Sequence, residues 1–112
     1  KILTINSSVG LEALLMQTPV EILGDCAHRH VAEADDETER TARLAFYLFA
    51  YLVPMPLIHD PGYVRFRLGQ PSEFEIVVRH LAAYGLDSER LRRNAAGSLS
   101  RLLELALSDA FA

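Results

Sequence analysis

Two serines and a glutamate at close spacing carry most of the chemistry in this sequence. Asn6-Ser7-Ser8-Val9 follows the apolar run Ile2-Leu3-Thr4-Ile5 directly, and Glu12 comes shortly after it. A tight turn that leads from a strand straight into a helix leaves backbone N–H groups unpaired. It also presents the positive end of the helix dipole, and both features favour an anion. The Ser7 and Ser8 hydroxyls add donors beside Asn6 and the Val9 backbone. Gly10 lets a ligand or a neighbouring strand come close. Glu12 lies about one helical turn beyond the serines, roughly 6 Å along the axis. That is the reach from a phosphate to the hydroxyls of an attached ribose. A carboxylate accepting from two sugar hydroxyls is the recognition that dinucleotide-binding folds use. The local alternative is plain: Ser7 or Ser8 caps a helix, and Glu12 is a solvated helix carboxylate.

Several elements must position these groups. Residues 2–5 are short, β-branched and apolar throughout, the pattern of a strand buried on both faces of a parallel sheet. Residues 9–16 carry a helical apolar set, and Pro19 closes that helix. Residues 20–23 form a second short strand, ended by Gly24. Strand, helix, strand makes a right-handed β-α-β unit. Two parallel strands make a poor sheet alone, so further strands are expected upstream of residue 1. The start at Lys1 without Met fits a piece of a longer protein.

Beyond it, residues 25–35 show no clear period. A helix is expected over residues 36–53, with Asp36 and Glu39 as a capping box and Asp36/Arg40 and Glu39/Arg43 as ion pairs. Its half over residues 44–53, with Phe46, Tyr47, Phe49 and Tyr51, should be deeply covered. Residues 59–62 read as a turn, and residues 63–68 alternate as an edge strand or extended loop. A capping box at Ser72 opens a helix to about residue 84, with Gly85 past its end. Asp87 or Ser88 caps one last helix striped by Leu91, Ala95, Leu99, Leu102 and Ala106.

Thr4-Ile5-Asn6-Ser7-Ser8-Val9-Gly10-Leu11-Glu12-Ala13-Leu14-Leu15, then Pro19-Val20 and Leu23-Gly24, resembles the signature of the capsule polysaccharide biosynthesis/export family. Its members include bacterial Kdo transferases related to GT-B glycosyltransferases. The resemblance implies an α/β fold: the C-terminal part of a Rossmann-like GT-B domain, helix-rich, with a short parallel β-α-β unit. Residues 1–24 would be the nucleotide-sugar-binding motif and residues 36–112 a mostly helical C-terminal part of one domain. It also implies roles. Asn6, Ser7, Ser8 and Val9 would hold the donor phosphate, and Glu12 the donor ribose. The donor would be a nucleotide sugar such as CMP-Kdo, and the acceptor a capsule glycan or its lipid anchor. The catalytic residues would lie outside this chain, which alone should be inactive. Gln17-Thr18 stands where the family commonly has Gly-Lys, and Asp25-Cys26-Ala27-His28 where an Arg-Ala-Phe-Tyr-like run is common. Two other readings stay open: a non-catalytic export or assembly module, and a nucleotide-sugar enzyme such as an epimerase.

The remaining chemistry-bearing residues read as ordinary surface or core. Cys26, His28 and His30 beside an acidic run match no closed zinc set, so no metal or cofactor is expected. Arg65 and Arg67 fit a solvated edge or an anionic glycan, and Arg90, Arg92 and Arg93 a wet helix face. Half of the 112 residues are hydrophobic and 23% are charged, a globular balance. A net charge of −4 without a basic stripe argues against nucleic acid. One cysteine excludes an internal disulfide and fits a reducing compartment. No secretory signal pattern is visible. The longest apolar run, residues 44–58, contains Pro54 and Pro56 and is short of the roughly 20 residues of a membrane span. The expected place is the cytoplasm, with peripheral contact at the inner face of the inner membrane. Self-association is expected through the strand edge or the apolar face of the last helix.

Overall fold

The structure is a computed structural model describing residues 2–4, 15–16, 20–24, 26 and 28–111. It is helix-rich and divides into two compact units, residues 1–47 and 48–112.

In the first unit, β1 (Ile2–Thr4) and β2 (Val20–Ile22) pair in parallel, with Ile2 opposite Val20 and Thr4 opposite Ile22. The segment between them lies mostly outside the described residues; Leu15 is helical and Met16 lies in a turn. Only the two strands of the expected β-α-β unit are therefore seen. Burial on both faces does not hold here: Ile22 is buried, but Leu3 is 63% exposed and Leu23 is exposed too. A short helix, α1 (Arg29–Ala32), occupies part of the stretch without a period. Its Val31 is fully buried.

Helix α2 (Glu37–Phe46) starts where its cap dictates, with the Asp36 carboxylate accepting from Glu39 N–H at 2.7 Å. The other half of the expected box shifts by one residue, since Glu39 accepts from Asp35 N–H. Glu39 also pairs with Arg43, as expected. Arg40 pairs with Glu37 instead of Asp36, whose carboxylate is committed to the cap. Arg43 donates to the His30 carbonyl at 2.8 Å and so ties α2 to α1.

The helix expected to run on to residue 53 changes register. Residues Tyr47–Tyr51 are π-helical. Deep cover of this half is also not found: Phe49 and Ala50 are buried, while Phe46 and Tyr51 face solvent. In the second unit Pro54 opens the short helix α3 (Met55–Ile58).

The alternating stretch 63–68 is helical, not extended, as part of α4 (Pro61–Leu68). Asp60, expected in a turn, caps it by accepting from Gly62 N–H at 2.9 Å, and Pro61 takes the first helical position, where its missing N–H is not needed. Those start signals outweigh the two-residue alternation. Helix α5 (Glu73–Ala83) follows the Ser72 cap. It ends in a Schellman motif: Gly85 N–H bonds Ala82 O, Leu86 N–H bonds Leu81 O, and Gly85 has φ +84°.

The single last helix splits in two, α6 (Ser88–Ala95) and α7 (Leu99–Ala110). Ala96 and Gly97 both take left-handed backbone angles, and Ser98 caps α7. The stripe still forms the core: Leu91, Ala95, Leu102 and Ala106 are buried with Ile76, Val77 and Leu81 of α5.

Candidate functional site

The five residues expected to hold a donor, Asn6, Ser7, Ser8, Val9 and Glu12, lie outside the described residues. What the first unit does show is the edge from which their segment departs. Thr4 and Ile22 are register partners, so both strands end level at one edge. Ligands of parallel sheets bind beyond the carboxyl ends of the strands. The segment leaving β2 at this edge carries Gly24, Cys26 and His28.

His28 is buried. Its Nε2 lies 3.5 Å from Cys26 Sγ, and its ring meets Tyr47 edge-on, with centroids 6.2 Å apart. Arg29 reaches back to the Gly24 carbonyl and pairs with Glu33. The sequence places Cys26 and His28 side by side; the structure adds the thiol–imidazole contact. A thiol beside an imidazole is the pairing from which a nucleophile is built, but here the ring is inside the unit and takes up packing contacts. Among the described residues no group of three His, Cys, Asp or Glu is placed to hold a metal ion.

The second unit holds a polar chain that the sequence reading missed. His80 is wholly buried within α5. Its Nδ1 lies 2.9 Å from the Phe49 carbonyl, and its Nε2 lies 2.6 Å from the Tyr63 hydroxyl. A carbonyl only accepts, so Nδ1 carries the hydrogen. Nε2 then accepts from Tyr63 O–H, and the Tyr63 oxygen accepts from Arg67 Nη1 at 2.9 Å.

The need for His80 comes from the π-helical turn. In that register the partner of the Phe49 carbonyl is residue 54, a proline without an N–H. His80 supplies the donor instead. Four residues on, at the C-cap of α5, the Tyr84 hydroxyl donates to Leu48 O at 3.3 Å. Burial lowers the His80 pKa from its ordinary 6.5. The Arg67 charge lowers it further, while the Phe49 carbonyl and Glu73 oppose the shift. The ring is therefore held neutral, and each of its nitrogens has a partner. This is a structural clasp, not an acid or base waiting for a substrate. The available signal was a histidine on the apolar stripe of residues 73–83.

Tyr63 and Arg67 also border a groove of about 410 Å³, walled by Leu57, Ile58, Val64 and Leu68. No helix among the described residues is long and apolar enough to cross a membrane. No family model matches the chain, and no curated protein matches it.

Proposed function

We propose that this chain is part of a bacterial capsule polysaccharide biosynthesis glycosyltransferase and binds its nucleotide-sugar donor, with CMP-Kdo the first candidate. Ser7 and Ser8 donate to the donor phosphate beside Asn6 and the Val9 N–H, and Glu12 accepts from the ribose hydroxyls. The acceptor is a capsule glycan or its lipid anchor, met at the cytoplasmic face of the inner membrane. The Rossmann-like GT-B architecture belongs to the same proposal.

The observation that supports it is the parallel, level pairing of Ile2–Thr4 with Val20–Ile22. Parallel neighbours require a crossover of a dozen residues or more, and the intervening residues 5–19 are those that carry the family-like pattern.

The test is calorimetric titration of the parent protein with CMP and with the intact donor. Ser7→Ala with Ser8→Ala should weaken binding by about 1–3 kcal/mol, and Glu12→Gln by about 1.5–3 kcal/mol, the range for hydrogen bonds to charged groups. A 2′-deoxy donor should lose much of its penalty in Glu12→Gln, because both changes remove one interaction. Unchanged affinity in folded variants would reduce the serines to caps and Glu12 to a solvated side chain.

A non-catalytic export or assembly role is the second reading. It is favoured by Gln17-Thr18, which removes the basic side chain of the family's usual Gly-Lys. Donor binding without transfer by the parent protein would mark it. An epimerase-like enzyme would instead return an altered nucleotide sugar with no acceptor present.

A further inference from the structure

Helix α4 and the short helix before it present an unusual surface. Met55 is 80% exposed and Leu68 76%, with Ile58 and Val64 about half exposed. Met55 and Ile58 are three apart in α3, and Val64 and Leu68 four apart in α4, so each pair shares one side of its helix. Ile58, Val64 and Leu68 also rim the same groove.

The arginines of α4 stand apart from most of the others. Arg29, Arg40, Arg43, Arg90, Arg92 and Arg101 each pair with a carboxylate. Among the described residues Arg65, Arg67, Arg79 and Arg93 have no carboxylate partner, and of these Arg93 lies on α6. Arg65 and Arg67 lie on α4, and the Arg79 guanidinium stacks 4.9 Å above the Phe66 ring of that helix. Between Pro61 and Pro71 there is no Asp or Glu. Asp60, just before, caps α4 with its carboxylate and keeps its negative charge at that end of the helix, on the side of Arg79. In a chain of net charge −4, the exposed apolar side chains of α3 and α4 thus lie beside Arg65 and Arg67, two exposed cations without a carboxylate partner.

We propose that this face, Met55 and Ile58 with Val64, Arg65, Arg67 and Leu68, docks on a membrane leaflet that carries anionic phospholipid. Aliphatic side chains that protrude beside arginines suit an interface where the tails enter the acyl boundary and the guanidinium groups meet headgroup phosphates. A two-fold contact between copies would set the same arginines against each other. The proposal goes beyond the donor-site reading, which assigns no surface to lipid, and the two fail separately, since vesicles contain no nucleotide sugar.

The test is sedimentation of the chain with vesicles of phosphatidylcholine, with and without phosphatidylglycerol. Binding should require phosphatidylglycerol and weaken with salt. Arg65→Gln should weaken it about fivefold, the worth of one cation at such a surface, and Arg65→Lys should keep it. Val64→Ser with Leu68→Ser should weaken it about tenfold or more at unchanged circular dichroism; Met55→Ser serves if that pair unfolds. Four outcomes overturn the proposal: no binding, equal binding to phosphatidylcholine alone, binding indifferent to these substitutions, or substitutions that abolish self-association or capture of an acidic protein while vesicle binding persists.

Discussion

His80 ties three segments of the second unit together. It sits in α5 with no exposure, donates to Phe49 O and accepts from Tyr63 O–H. His80→Leu fills the space but leaves a carbonyl and a hydroxyl without their partner. Each such group costs about 1–3 kcal/mol when buried, and urea unfolding should read the sum. His80→Asn, which keeps a donor toward Phe49, should recover part of the loss. The clasp also predicts a pH dependence. The folded pKa of His80 lies below 6.5, so below that pH the unfolded chain binds more protons than the folded one. Stability is full above about 6.5 and falls as the pH drops from there toward the folded value. Melting temperatures measured down from neutral pH should show this slope, and His80→Asn should flatten it. An unchanged slope would mean that His80 is not the titrating group.

At the scale of elements, ends are set by short-range chemistry. Asp36, Ser72, Asp87 and Ser98 each accept from the N–H three residues on. Gly85 closes α5 at φ +84°, and a Cβ there would meet nothing within 4 Å. Gly85→Ala therefore isolates the backbone term. It should cost about 1–2 kcal/mol, the penalty of a left-handed residue with a side chain, and chemical denaturation would measure it. A neutral result would mean that the Schellman turn rearranges. The caps at Asp36, Ser72 and Asp87 were legible in the sequence because donor and acceptor lie within a few residues; the Ser98 cap was not. The helix α4 was misread for the opposite reason. Val64, Phe66 and Leu68 alternate with arginines, but nothing in that stretch states which neighbour covers it. The split between α6 and α7 was hidden likewise, because the apolar stripe continues through the break and Ala96 gives no warning of its left-handed angle.

At the scale of the whole molecule, one expected route of self-association closes. The apolar stripe of the last helix is buried within its own unit, with Leu102 and Ala106 fully covered. The strand edge remains, beside exposed Leu3 and Leu23. Sedimentation equilibrium should give a mass above 12.5 kDa that rises with concentration, and Leu3→Lys should lower it, as charged residues do on natural sheet edges. A monomer at every concentration would remove this expectation.

The sequence by itself determined the caps at Asp36, Ser72 and Asp87, the Schellman glycine, the parallel strand pair and the stripe Leu91, Ala95, Leu102 and Ala106. Each rests on neighbours in the chain or on a periodicity that burial preserves. It also supplied the proposed donor site, since Ser7, Ser8 and Glu12 are recognised by type and spacing; they lie outside the described residues. Only the tertiary structure decided that His80 clasps Phe49 and Tyr63, 31 and 17 residues away. It likewise decided that residues 47–51 take the π register and that the α4 arginines have no carboxylate partner. Those outcomes depend on which distant groups meet, and a local pattern holds no record of a partner that far along the chain.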